Sequence, residues 1–247
     1  MKTITIIFGL YFLLIFILFL FQERLIFFPD NRTCPDLKSV TFEGETIRFI
    51  EKIHPNASII LIHFHGNAGG VCDRNFVIDN LKDFPINIIL VEYPGYSGEE
   101  TFPTLKRLKE NSVKIFKYFK NKGQPIYLYG ESLGSSIVSF LASFEKVEGI
   151  ILQSPFPSLG EVGQNAYPIF PVKWLIKDDI KIPKNISTRS LILIAEDDEI
   201  IPKNLSESQI KFFEDVKVFR FPKRNHNDLV INNQKLWSDV ADFLGPK

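Results

Sequence analysis

Five short runs in this chain are almost wholly apolar: SIILIHFH (58–65), INIILVEY (86–93), PIYLYG (125–130), EGIILQS (148–154) and SLILIAED (190–197). A strand with one wet face alternates apolar and polar residues. Runs without alternation are strands buried on both faces, as in a parallel sheet covered by helices. TIRFIEKI (46–53) and VKVFRF (216–221) extend the strand set. Between the runs the spacing turns helical, in CDRNFVIDNLKDF (72–84), SLGSSIVSFLASF (132–144) and a last segment near 233–243. TLKRLKENSVKIFKYFKNKG (104–123) sets Leu105, Leu108, Val113, Phe116 and Phe119 on one face before Gly123 and Pro125 stop it. This alternation predicts an α/β fold, a mostly parallel central sheet with helices on both faces. Reactive groups in such sheets gather on loops at the carboxyl ends of strands. That selects loops 65–70, 94–100, 130–134, 154–158, 196–202 and 222–228.

The N-terminus obeys a different rule. ITIIFGLYFLLIFILFLF (4–21) has no charge and no proline. As a helix it is about 27 Å long, close to the hydrocarbon thickness of a bilayer. It has no polar face and no small-residue cleavage site after it, only Gln22, Glu23 and Arg24. The expectation is an uncleaved, single-pass anchor over residues 1–24 and one catalytic domain over 25–247. Lys2 before the span and Arg24 and Arg32 after it nearly balance, so orientation is weakly encoded; a catalytic domain on the exported side is the favoured reading.

Composition excludes some partners. Lys+Arg and Asp+Glu stand at 29 each among 247 residues, so no net charge favours a nucleic acid. Cys34, Cys72 and four histidines form no metal-type spacing, so no metal is expected. Two free buried thiols are the plainer expectation for the cysteines, with a Cys34–Cys72 disulfide the alternative in an oxidising compartment.

The loops carry the chemistry. In YGESLGSS (129–136), Ser132 has glycine two places to either side, a buried strand before it and a helix after it. That is the context of a nucleophile elbow; the plain alternative is a capping serine. His226, in PKRNHNDLV (222–230) after the last strand, is the candidate base. His63, inside a strand, reads as a satisfied core histidine, and His54, beside Pro55, as solvated. IAEDDEIIP (194–202) supplies Glu196, Asp197, Asp198 and Glu199. Asp198 is the chosen acid because it precedes an apolar turn, with Asp197 as runner-up. HFHGNAGG (63–70) is glycine-rich at a strand end. Its Asn67 N–H, with that of Leu133 after the nucleophile, is the expected pair of oxyanion donors. The loop lacks the lysine and spacing of a nucleotide-binding motif.

HFHGNAGG, VEYPGYSGEE, YGESLGSSIV, LQSPFPSL, AEDDEIIP and NHNDL occur together and in this order. The set resembles the α/β-hydrolase-domain serine hydrolases of the bud-emergence-like branch, which includes membrane-anchored lipases and protein depalmitoylases. The resemblance covers roughly residues 25–245, with the apolar N-terminus and ERLIFFP beside it. It implies an α/β-hydrolase fold with little or no cap and no cofactor. It places the nucleophile on Ser132, the acid on Asp198, the base on His226 and the oxyanion donors on Asn67 and Leu133. Gly66, Tyr93 and Tyr96 fall at substrate-binding positions, the tyrosines shaping an acyl pocket. GYSGEE departs modestly from the family, where glycine often precedes the serine. Residues 155–189 are too few for a large cap; they form either a short apolar rim over the site near the membrane or an ordinary crossover helix.

The expected activity is hydrolysis of an acyl or lipid-like ester or thioester through an acyl-enzyme. A peptidase or small-ester esterase would use the same triad. A membrane-tethered binding module with a dead site is the alternative outside the enzymes.

Overall fold

In the computed structural model, which describes residues 2–245, the strands in chain order are β1 (Phe28–Pro29), β2 (Lys38–Phe42), β3 (Glu45–Lys52), β4 (Ile59–Phe64), β5 (Ala68–Gly69), β6 (Ile86–Glu92), β7 (Ile126–Glu131), β8 (Gly149–Gln153), β9 (Ser190–Ala195) and β10 (Val216–Phe221). The helices are α1 (Lys2–Ile26), α2 (Asn75–Leu81), α3 (Leu105–Lys120), α4 (Leu133–Ala142), α5 (Leu159–Ala166), α6 (Lys203–Glu207) and α7 (Gln234–Leu244). Eight strands form one sheet, ordered β10-β9-β8-β7-β4-β6-β3-β2. Pairing is parallel from β10 to β6 and antiparallel for β6–β3 and β3–β2. The β2–β3 hairpin turns on Glu43 and Gly44, both at positive φ (49° and 77°), as a two-residue turn between twisted strands requires. The sheet is the predicted one, with β2 as an added antiparallel edge.

The five apolar runs are the five central parallel strands, and two separate cores explain their composition. On one face α3 and α4 bury Leu105, Leu108, Phe116, Ile137, Val138 and Leu141. On the other, α2 and α7 bury Val77, Leu81, Leu236, Trp237 and Val240. Side chains from both faces of β4, β6 and β7 are therefore withdrawn from water, each worth roughly 1.5–3 kcal/mol when fully buried.

Helix α1 runs to Ile26, two residues beyond the expected limit of the anchor. Most of its surface is bare; a stripe at Tyr11, Ile15, Leu18, Phe19, Gln22, Glu23 and Ile26 is covered, the spacing of one helix face. Phe28 and Pro29 then pair in parallel with Ala68 and Gly69, so the chain leaves α1 directly onto the glycine-rich loop.

One expectation is corrected. Cys34 and Cys72 form a disulfide, with Cα atoms 5.8 Å apart. The β1–β5 pairing, with Asp30 N–H donating to Gly69 and the Arg32 guanidinium donating to Asp73, lays the 30–36 segment across the turn that carries Cys72. Spacing along the chain could not disclose that crossing. Residues 155–189 hold α5, capped by the Ser158 hydroxyl, which accepts from the Glu161 N–H, followed by a loop through Trp174 with exposed apolar side chains.

Candidate active site

Ser132 sits between β7 and α4 with φ 50° and ψ −113°. Such a backbone costs on the order of 1–3 kcal/mol and persists only where its surroundings impose it. They do so here by close approach. A Cβ on Gly134 would collide with the Phe64 carbonyl, and one on Gly130 with the Gly134 backbone. Helix and strands thus pack tightly enough to fold the serine outward, while its N–H is held by the Gln153 carbonyl at 2.9 Å.

The structure brings the three predicted side chains together. His226 Nε2 lies 3.1 Å from Ser132 Oγ, and His226 Nδ1 lies 2.7 Å from Asp198 Oδ2. The Asp198 carboxylate is 1 % exposed and the imidazole 11 %. Burial pushes the Asp198 carboxyl up, but the facing His226, the Ile201 N–H (2.6 Å) and the Ser154 hydroxyl (2.9 Å) outweigh it and hold the group below the usual carboxylate range. Asp197, the runner-up, is exposed; its N–H is occupied by the Arg224 carbonyl. The loop around His226 is closed on itself: Asn225 Oδ1 accepts from the Asn227 and Asp228 N–H groups, and Asp228 Oδ1 accepts from the Asn225 N–H.

Asn67 and Leu133 lie on the two loops expected to form an oxyanion site. Leu133 is the first residue of α4, among the N–H groups that a helix leaves without an internal partner. The Asn67 carbonyl accepts from the Phe28 N–H (3.0 Å) and the Tyr96 hydroxyl (2.7 Å), and its side-chain amide donates to the Ile26 carbonyl (2.8 Å). Gly66 is buried between this loop and Glu131, whose Oε1 would lie 3.1 Å from an added Cβ.

Tyr93 and Tyr96 lie beside the glycine-rich loop. Both are buried, and their hydroxyls donate to the His65 and Asn67 carbonyls. They tie the 93–96 turn to the glycine-rich loop.

Beneath the loop lies a set of charged groups that no sequence motif announced. Arg74 binds the Glu131 carboxylate at 2.8 and 3.1 Å, and this pair holds Glu131 down at about 2 although burial pushes it up. His65 joins the Gly66 carbonyl (2.7 Å) to Glu92 (3.1 Å), and Glu92 also accepts from Val71, Tyr93 and Ser97. His63 is buried as expected, but it is not satisfied: neither ring nitrogen has a hydrogen-bond partner. Burial pushes its pKa down to about 3. Ser154, at positive φ (45°) after β8, was also missed. Its hydroxyl matters through Asp198, a partner 44 residues later in the chain.

No family model matches the chain. An uncharacterised protein of Mycobacterium tuberculosis is 27 % identical over 245 residues, covering 90 % of this chain and 87 % of that one. The lysophosphatidylserine lipase ABHD12 of Xenopus tropicalis is 25 % identical over 240 residues, covering 82 % of this chain; the match spans 62 % of the lipase's own length. Among solved structures, Est1E from Butyrivibrio proteoclasticus superposes with a TM-score of 0.68 at 18 % identity, covering 84 % of this chain and 97 % of that one. The Pyrococcus furiosus esterase Pf2001 gives 0.68 at 15 %, covering 87 % and 98 %. The fold is that of the α/β-hydrolases, and fold and relatives together mark the chain as a hydrolase of that class.

Proposed function

We propose that the chain is a membrane-anchored serine hydrolase cleaving carboxylic ester or thioester bonds of acyl, lipid-like substrates. The observation that carries this is the line Ser132 Oγ, His226 Nε2, His226 Nδ1, Asp198 Oδ2, with both links at hydrogen-bond distance. His226 takes the Ser132 proton as Oγ attacks the acyl carbonyl; Asp198 holds the ring orientation and offsets the imidazolium charge. The N–H groups of Leu133 and Asn67 receive the oxyanion, each worth about 3 kcal/mol of transition-state stabilisation. His226 returns the proton to the leaving alcohol or thiol, and water, activated by the same base, releases the acyl-enzyme. No cofactor enters any of these steps.

The acyl and ester character of the substrate is supported by the ABHD12 relatives, which are named lysophosphatidylserine lipases. The anchor is supported by α1, whose 25 residues are long and apolar enough to cross a membrane. The Cys34–Cys72 disulfide favours a catalytic domain on the oxidising, exported side.

The test is labelling by a fluorophosphonate. Wild-type protein labels and Ser132→Ala does not; labelling that persists in the variant removes Ser132 from the reaction, and a wild type that never labels points to a binding module. Rates on p-nitrophenyl esters of increasing chain length, on acyl thioesters and on aminoacyl amides then separate lipase from peptidase.

A further inference from the structure

After α5 the chain makes a loop whose side chains are turned outward: Tyr167 is 62 % exposed, Ile169 74 % and Trp174 79 %. From Val162 to Val172 no residue is charged, and the flanking Glu161 and Lys173 neutralise each other at 2.6 Å. We propose that this loop is a second membrane-inserted element, lying among the acyl chains beside α1 and holding the carboxyl edge of the sheet, with Ser132, against the bilayer. The proposal rests on α1 being a membrane anchor, as proposed above.

Two contacts set the depth. The Gln22 side-chain carbonyl accepts from the Lys177 N–H at 2.7 Å, and the Tyr11 hydroxyl donates to the Ile169 carbonyl at 2.7 Å. The eleven steps from Tyr11 to Gln22, at about 1.5 Å each, put these contacts roughly 16 Å apart along the helix axis. Gln22 is the first polar residue after the apolar stretch, with Glu23 and Arg24 following it. With Gln22 at the boundary, Ile169 lies near the middle of a hydrocarbon layer about 30 Å thick. The Phe170 ring stacks on Tyr11 at 5.8 Å, and the Lys177 ammonium sits over Phe19 near the boundary.

The backbone of the loop suits that depth. In lipid, irregular backbone survives only where its polar groups find partners inside the protein, because each one left open costs several kcal/mol. The N–H groups of Tyr167, Phe170, Val172, Trp174 and Leu175 donate to carbonyls of the same segment, and that of Lys173 to Gln164 Oε1. Pro168 and Pro171 carry no N–H. The Pro168 carbonyl accepts from Gln164 Nε2, and the Ile169 carbonyl accepts from the Tyr11 hydroxyl of α1. Tyr167, Ile169 and Trp174 point outward while these N–H groups and carbonyls bond within the protein.

Nitroxide accessibility tests the proposal in the full chain. Because Cys34 and Cys72 are paired, a single introduced cysteine takes the label. Ile169→Cys, Phe8→Cys on the anchor and Phe144→Cys at the far end of α4 are labelled in phosphatidylcholine vesicles. The label at 169 should lose collisions with a water-soluble nickel chelate to the level of the label at 8, and gain collisions with oxygen. A label at 169 as open to the chelate as that at 144, while the label at 8 is shielded, overturns the insertion and leaves the anchor standing. A label at 8 as open as that at 144 overturns the anchor reading and the insertion with it.

Discussion

Ser154 and His63 show how much of this site depends on side chains outside the proposed triad. Asp198 is held by four donors: the Ile200 and Ile201 N–H groups, the Ser154 hydroxyl and His226 Nδ1. Ser154→Ala keeps a backbone that alanine tolerates no worse than serine and removes one donor, worth about 1.4 kcal/mol. We expect kcat to fall about tenfold with KM little changed; a drop confined to KM, or none, separates Ser154 from the acid's positioning. His63 gives a pH dependence. Folded, it stays neutral down to about 3, because its burial outweighs the attraction of Glu131, while Arg74 and His65 push the same way as burial; unfolded, it takes a proton near 6.5. Between those limits the unfolded state binds one proton more, so stability falls as pH drops, by about 1.4 kcal/mol per pH unit. His63→Phe places an apolar ring where neither nitrogen has a partner. It should make the fall in unfolding free energy between pH 6 and 4 shallower by about one proton's worth, measured by denaturant titration; an unchanged slope refutes the assignment.

Two cross-links join elements that packing alone would leave independent. Arg74, just before α2, reaches the end of β7 through Glu131, and both side chains are largely buried. Arg74→Met leaves the Glu131 carboxylate without its cation in a low-dielectric site, at a cost of about 3 kcal/mol or more. Activity should fall with it, since Gly66 lies against this pair; a shift in denaturation midpoint of well under that cost would show that water reaches Glu131. The disulfide closes a loop of 38 residues. In the chain-entropy account that stabilises the domain by about 3–4 kcal/mol. Unfolding with and without reductant, or in the Cys34→Ser/Cys72→Ser double variant, measures it.

For the whole molecule, α1 and the candidate site are joined without a linker. Ile26, the last residue of α1, accepts from the Asn67 side chain, and Phe28 donates to the Asn67 carbonyl. The residue proposed as an oxyanion donor is thereby tied to the end of α1, and the 167–174 loop is bonded to the same helix through Ile169 and Tyr11. Ile169→Glu should lower the rate on a long-chain ester presented in vesicles by about tenfold or more, since a charge in hydrocarbon costs about 2.5 kcal/mol. The rate on a short, water-soluble ester should be unaffected. Equal losses on both substrates would mean that the loop shapes the site itself.

The layered fold could be read from the chain because burial on both faces forces unbroken apolar runs, a local property of each strand. Positions of Ser132, Asp198 and His226 were legible for a related reason: parallel strands deliver their carboxyl-end loops to one edge, which the three share although β8 lies between the strands before Ser132 and Asp198. The sequence also named two cysteines, four histidines and the apolar loop. Which of these meet, and which stay apart, depended on contacts between segments remote in the chain. The Cys34–Cys72 bond follows from β1 lying on β5, and His63 stands without a partner because Arg74 occupies the carboxylate beside it. Ser154 finds Asp198 because β8 pairs with β9. Tyr93 and Tyr96 turn inward to hold the His65 and Asn67 carbonyls. Local pattern encodes burial and turns; hydrogen bonds and charges are satisfied by whatever the packing brings within about 3 Å, and that neighbour is fixed only when the layers close.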